Sequence, residues 1–360
     1  MPDARPITDR PIRVGVVGLG QIAELVLPAY LARDDVTIVA ACDRDASRLD
    51  RWRPALGDAA LSTEVADVLA CAPDVVDVLV PTPYHADVAL PIIEAGFAVQ
   101  LQKPIARSLE DCLRLTAAAR ANGTMLRVLE DYVYFPPLVQ LRDVVRSGDV
   151  GDPVGLHMKI VNTGRGGWDV LPQSYVWQFE QTLDGRGMLV FDHGWHQLAV
   201  AIWLFGPIRR IFGWIGSTEV APGYALDAPA SLVWEHATGL RGGLDLTLAV
   251  DTYFRSDFYS CDERVEVTGS QGSVRCNRIS AFGRQEPSVQ VYREGEVREF
   301  HALADGGDAG FAVSAAAMVA HLRGEAPVPD LDADTTEHVM RALIGALDSA
   351  RLGHPVDVDA

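Results

Sequence analysis

The sequence is short of the features that hold secreted or metal-stapled chains together. Its 360 residues include five cysteines, Cys42, Cys71, Cys112, Cys261 and Cys276. They are odd in number and scattered, and no two form a Cys-x-x-Cys pair, which argues against a disulfide framework and a structural metal. Positive charge is also scarce: 31 Lys and Arg against 49 Asp and Glu leave a net charge of -18. So acidic a chain repels nucleic acid and anionic membranes, and a neutral small molecule is the easier partner. Long apolar runs are missing too. Met1 to Arg13 has no apolar signal core, and the run Met188 to Phe205 is broken by Asp192, His193 and His196. The expectation is a cytoplasmic protein with no membrane span.

The apolar fraction of 48% and charged fraction of 22% are those of a globular protein, and the length suggests two domains. From Ile12 to Leu129, short apolar runs (Ile12–Gly18, Val36–Cys42, Val75–Val80, Phe97–Leu101, Thr124–Leu129) alternate with stretches of helical spacing (Gln21–Ala32, Ala46–Leu56, Ala86–Ala95, Leu109–Ala121). That rhythm predicts a parallel sheet covered by helices on both faces, an α/β domain over 1–129. After Glu130 a helix near Pro137–Ser147, a strand near Val154–Val161 and a helix at Gly187–Phe205 lead into strand-like runs from Ile208 to Tyr292. Strands without intervening helices predict a second, α+β domain over 130–360 with a mostly antiparallel sheet. Two closing helices, Phe311–Leu322 and Thr335–Leu352, follow, the last expected to pack back on the first domain.

Gly18-Leu19-Gly20-Gln21-Ile22-Ala23 follows the first strand and opens the first helix, the context a dinucleotide fingerprint needs. Gly18 permits the turn, Gly20 admits a pyrophosphate, and Gln21 and Ile22 begin the helix whose N-terminus favours phosphate charge. Asp43 ends the second strand, where a carboxylate accepts ribose hydroxyls. It repels a 2′-phosphate, which favours NAD, while the adjacent Arg44 leaves NADP open. Thr82, beyond the next strand, is expected to line the crevice; His85, opening a helix, is either a packed cap or a further cofactor contact. Gln102-Lys103-Pro104 ends another strand at the same sheet edge. Asp192 and His196 lie four apart, which on an α-helix puts both on one face. The bland alternatives are a glycine turn with a surface acid, a turn lysine, and a salt-linked Asp and His in a core.

Gly18-x-Gly20-x-x-Ala23, Gln102-Lys103-Pro104, Gly148-Asp149-Val150-Gly151, Asp192-x-x-x-His196 and the ending Ala346–Val356 together resemble the glucose-fructose oxidoreductase / inositol dehydrogenase (Gfo/Idh/MocA) family. The resemblance covers nearly the whole chain. It implies a Rossmann domain followed by an open-faced sheet used for oligomerisation, hence a homodimer or homotetramer, with catalysis by Lys103, Asp192 and His196. It departs at Gln102, where the family usually has Glu, and at Ala199, where many members carry an acid. It implies hydride transfer between the carbinol carbon of a sugar or cyclitol and a nicotinamide. His196 is the expected proton acceptor, Lys103 the activator of the reacting oxygen or alternative base, and Asp192 an orienter of substrate hydroxyls. Glu130, Tyr132, Lys159, Arg165 and Trp177 are expected substrate contacts. Two other readings stay open: a glycoside-cleaving enzyme that oxidises its sugar transiently, and a non-catalytic dinucleotide sensor.

Overall fold

In the computed structural model, the residues described are 6–167, 178, 180, 187–256, 260–279, 286–301 and 303–358. Two compact units divide the chain: Met1–Asp131 with Phe311–Met340, and Tyr132–Gly310 with Arg341–Ala360.

The first unit holds a six-stranded parallel sheet. Its strands are β1 (Ile12–Val17), β2 (Val36–Cys42), β3 (Ala60–Ser62), β4 (Val75–Val78), β5 (Ala98–Gln102) and β6 (Leu126–Leu129), in the order β3-β2-β1-β4-β5-β6. Between them run α1 (Ala23–Leu31), α2 (Ala46–Leu56), α3 (Val65–Ala70), α4 (His85–Glu94) and α5 (Leu109–Asn122). The order reverses at β1, so the crevice beyond the carboxyl ends of β1 and β4 is where such a sheet takes a ligand. Strands β1 and β4 are apolar almost throughout, as strands covered on both faces must be.

Inside this core lies a polar row. Asp77, Gln100 and Arg127 are register partners across β4, β5 and β6, and all three are fully buried. Gln100 Nε2 donates to Asp77 Oδ2 at 2.9 Å and to Tyr30 Oη at 3.0 Å. Arg127 Nε donates to Gln100 Oε1 at 2.7 Å, and its Nη2 to Ser314 Oγ at 2.7 Å. Ser314 belongs to the later segment Phe311–Met340, and this bond is part of what makes that segment one body with the sheet.

The second unit begins with α6 (Pro136–Arg146), β7 (Pro153–Arg165) and α7 (Gly194–Phe205), the last preceded by a π-helical turn at Met188–His193. Then come β8 (Ile208–Ile215), β9 (Thr218–Ala221), β10 (Tyr224–Leu226), β11 (Ala230–His236), β12 (Arg241–Tyr253), β13 (Cys261–Gly269), β14 (Gly272–Ile279), β15 (Val289–Arg293) and β16 (Glu296–Phe300). Helices α8 (Ala309–Leu322) and α9 (Ala333–Leu352) and the short β17 (Val356–Asp357) end the chain, α9 being divided between the units at Met340. Nine strands form one sheet, β16-β15-β14-β13-β7-β12-β11-β8-β17. Every pair is antiparallel except β7 with β12. Along β7, Leu156, Met158, Ile160 and Asn162 face the core, and His157, Lys159 and Val161 the other side.

The structure differs from the sequence expectation in several places. The helix expected over Gly187–Phe205 is a π turn followed by an α-helix, because apolar periodicity does not separate the two pitches. Helix α3 and strands β3, β9, β10, β16 and β17 escaped notice, because all are short and β16 is also exposed nearly throughout.

Candidate active site

The dinucleotide fingerprint is built around one carboxylate. Gly18 takes φ +101°, and a Cβ there would stand 2.8 Å from the Leu79 carbonyl carbon, so only glycine fits the turn. The Gly18 N–H donates to the Cys42 carbonyl at 2.8 Å. Asp43, 6% exposed, accepts the Leu19 N–H on Oδ2 at 2.8 Å and the Asp45 N–H on Oδ1 at 2.9 Å. Arg48, which the sequence reading missed, pairs with Asp43 Oδ2 at 3.3 Å. Its Nη1 lies 3.4 Å from where a Gly20 Cβ would be. An arginine one turn into α2 is within reach of the acid that precedes the helix, but in a run as charged as Asp45–Arg53 nothing marked it out. Arg44 is exposed, its guanidinium 5.1 Å from the Tyr84 ring centroid.

Thr82 is buried in a 3₁₀ turn, Thr82–Tyr84, after β4. His85 opens α4 and is fully buried. Its Nδ1 faces the Pro104 carbonyl at 2.8 Å and that of Ile105 at 3.2 Å, and its Nε2 faces Val80 O at 2.8 Å. Burial pushes its pKa down to about 4, against the pull of those carbonyls. The neutral ring has one N–H, so at neutral pH one side is a hydrogen bond and the other a contact. With both nitrogens facing main-chain carbonyls, His85 braces the loops after β4 and β5 and has no polar atom for a cofactor, which corrects its assignment as a cofactor contact.

At the end of β5 the Lys103 N–H donates to Gln102 Oε1 at 2.6 Å, and the Lys103–Pro104 bond is cis. The hydrogen bond from the Lys103 N–H fixes the Gln102 amide with its oxygen toward Lys103. Its Nε2 is then a buried donor with no hydrogen-bond partner among the described residues. Gln21 and Ile22 are half-buried where α1 begins. A glycine turn open at Gly20, an acid at the end of β2 and an unmatched donor at the end of β5 fit a dinucleotide laid along the carboxyl edge of the sheet. Gly18, Gly20, Asp43 and Gln102 would hold it. Glu130 is fully buried just beyond β6.

In the second unit, the helix carrying the other two predicted groups is anchored by a residue with no sequence signal. Asp227 accepts the N–H groups of Leu189 and Val190, both at 2.8 Å. Those are orphan donors of a helix start. Burial raises the Asp227 pKa. A Cβ on Gly187 would collide with that carboxylate. Asp192 falls in the π turn, half-buried, and His196 in α7 at 8% exposure. The pair straddles a change of pitch, so the one-face expectation, which assumed a uniform α-helix, does not carry over.

His196 stacks on Tyr132, ring centroids 4.1 Å apart and planes 13° from parallel. The Tyr132 hydroxyl donates to Glu263 Oε1 at 2.9 Å, so it is already engaged and does not reach outward as an expected substrate contact would. Lys159 stands on the opposite face of the sheet from Glu263, paired with Asp262 at 3.1 Å. Strand alternation thus separates it from His196, a correction to its expected role. Arg165 is exposed at the end of β7, 6.0 Å from the Tyr253 ring centroid. Trp177 lies outside the described residues.

Comparison with known proteins gives these features a common origin. The family model for an oxidoreductase family with an NAD-binding Rossmann fold (GFO_IDH_MocA) matches residues 12–130, and that for the GFO/IDH/MocA C-terminal domain matches 138–275. A D-glucoside 3-dehydrogenase of Escherichia coli is 31% identical over 56% of this chain and 56% of its own length. A D-apiose dehydrogenase of Paraburkholderia graminis is 28% identical over 76% of this chain and 69% of its own. An inositol 2-dehydrogenase of Saccharopolyspora erythraea is 29% identical over 73% of this chain and 72% of its own. The same fold occurs in an oxidoreductase from Agrobacterium radiobacter solved with NAD+, L-tartaric acid and magnesium (TM-score 0.78, 18% identity, 97% of this chain and 98% of that one). It occurs again in the WlbA dehydrogenase of Bordetella pertussis solved with NADH and UDP-GlcNAcA (TM-score 0.75, 20% identity, 97% and 99%). A glycine turn closed by Asp43, a sheet ending in Gln102-Lys103-Pro104 and a second domain matched in its own right leave one conclusion: the chain belongs to the Gfo/Idh/MocA family of NAD-binding oxidoreductases.

Proposed function

We propose that this protein is a dehydrogenase that oxidises one carbinol carbon of a sugar, sugar derivative or cyclitol, with NAD as the preferred dinucleotide and NADP, through Arg44, as the second. The first unit holds the dinucleotide and the second supplies most substrate contacts. One observation carries the reading: a chain with an NAD-binding domain also presents a buried, ring-stacked imidazole, His196, four residues after an acid, Asp192. The relatives named for a D-glucoside, D-apiose and inositol act on neutral polyols, which suits a chain of net charge -18.

NAD, when bound, supplies the hydride acceptor. The chain supplies the rest. His196 accepts the hydroxyl proton, a task for which a histidine is suited near neutral pH. Lys103 donates to the reacting oxygen, and Asp192 accepts from a neighbouring hydroxyl and orients the ring. Five free thiols fit a reducing compartment, the cytoplasm. Among the described residues no helix is long and apolar enough to cross a membrane. We place the protein there as a homodimer or homotetramer, which light scattering tests.

The deciding experiment is a panel of monosaccharides, glycosides and inositols with NAD, read by nicotinamide absorbance, on wild type, Lys103→Ala and His196→Ala. Turnover of at least one polyol by wild type, abolished in both variants with NAD binding intact, is the expected result. Aglycone release without NADH accumulation would replace this reading with a glycoside-cleaving one.

A further inference from the structure

His196 is held by more than its own helix. On the core-facing side of β13, Glu263 is 3% exposed. One of its oxygens accepts both the Tyr132 hydroxyl at 2.9 Å and the Cys261 thiol at 3.2 Å. The Tyr132 ring lies flat against the imidazole, 4.1 Å between centroids and 13° from parallel. A carboxylate at a core position of an alternating strand costs stability unless donors meet it, so its presence among Cys261 and Val265 calls for a purpose.

We infer that Glu263 and Tyr132 are positioning residues for His196: the buried carboxylate tethers the phenol, and the tethered ring sets the plane of the imidazole. This rests on the reading of His196 as the proton acceptor. A phenol donating to a carboxylate makes a charge-assisted bond, which is short and directional and fixes the ring in its plane. A fixed aromatic face leaves the stacked imidazole one orientation, with its nitrogens directed edge-on, away from the stack. The same face favours the imidazolium created when the proton arrives. A phenylalanine would offer the same aromatic face but would have no tether to hold it flat against the imidazole, and an untethered base loses the alignment on which proton transfer depends.

The test uses the full chain with isotope-labelled histidine, in wild type, Glu263→Gln, Glu263→Leu, Tyr132→Phe and Tyr132→Leu. The His196 ring protons, assigned by their loss in His196→Gln, are expected to be displaced upfield by the stacked ring. The displacement persists in Glu263→Gln, whose amide oxygen still accepts, and is largely lost in Glu263→Leu and absent in Tyr132→Leu. Turnover is followed on whichever of methyl β-D-glucoside, D-apiose and myo-inositol wild type oxidises fastest. The kcat falls about tenfold in Glu263→Leu and in Tyr132→Phe, with KM and NAD affinity unchanged. Tyr132→Phe cuts the same bond without a change of shape, so a Glu263→Leu chain that fails to fold does not block the test. An unchanged His196 shift together with unchanged kcat in Tyr132→Phe and Glu263→Leu overturns the tether while His196→Gln remains inactive. Full turnover in His196→Gln overturns the base itself.

Discussion

The backbone N–H of Leu19 donates to Oδ2 of Asp43 across 24 positions of sequence, at 2.8 Å. One carboxylate therefore shapes the glycine turn that it also serves. Asp43→Ala strands the Leu19 and Asp45 N–H groups and removes the ribose acceptor. Each unsatisfied group costs about 1–3 kcal/mol of stability, and loss of the ribose hydrogen bonds to a carboxylate, about 1.5–3 kcal/mol, should raise the NADH Kd at least tenfold. NADPH should weaken less, because its 2′-phosphate no longer meets a negative charge. Fluorescence titration with both reduced dinucleotides measures the ratio; an unchanged ratio would remove Asp43 as its determinant.

The chain contains two lysines, Lys103 and Lys159, and they make an internally controlled probe. Reductive methylation with carbon-13 formaldehyde labels both and keeps their charge. Lys103 directly follows β5 at the carboxyl edge of the parallel sheet, whereas Lys159 pairs with Asp262 on the second sheet. Added NAD should move the Lys103 methyl resonance and leave that of Lys159 in place. Equal movement of both, or of neither, contradicts the placement of Lys103 at the dinucleotide.

Two buried groups of the first unit give stability opposite responses to pH. Burial pushes Asp77 up to about 7 from 3.8. Its contribution is complete below its unfolded value and is lost as pH rises through the folded one. His85 is pushed down to about 4 from 6.5 by burial, so its contribution is present above its unfolded value and is lost as pH falls. The two nearly cancel between about pH 4 and pH 7. Asp77→Asn keeps the acceptor for Gln100 and removes one side of the balance. Its Tm, compared with wild type at each pH, should climb from about pH 4 to pH 7, the difference reaching a few kcal/mol in ΔG. A constant offset across that range would show that Asp77 does not titrate there.

Gly187→Ala forces a methyl group into the Asp227 carboxylate and displaces it from the Leu189 and Val190 N–H groups. Overpacking of this kind costs about 1–3 kcal/mol. Thermal unfolding should show it as a Tm lowered by several degrees. The start of the helix carrying Asp192 and His196 loses its anchor, so turnover should fall with it. Normal stability and normal turnover in this variant would mean that the anchor is dispensable.

The first half of the chain was legible because its signals are local. Apolar runs located β1 and β2 to within a residue, and the spacing from Gly18 to Asp43 joined two strand ends that the fold brings into hydrogen-bond contact. The second half was legible in its strands and less so in its contacts. Lys159 lies between Met158 and Ile160, both core-facing, so alternation was enough to put it on the other face, a signal that the expectation of a substrate contact overlooked. Glu263 was readable by the same rule, as an acid between Cys261 and Val265 in the inward positions. Asp227 was not: it sits in an ordinary turn, and its partners are main-chain groups 37 and 38 residues earlier. The π turn was hidden because the side chains of Met188–His193 suit either pitch.

Arg127 and Ser314 are 187 residues apart, and the first unit is complete only with Phe311–Met340. While the chain is being synthesised, the parallel sheet emerges before Ser314, and one donor of its buried guanidinium waits for an acceptor 187 residues further along. A domain that usually closes early in translation is here obliged to finish late. A fragment ending at 131 should therefore remain open and prone to aggregate, however well its strands are patterned.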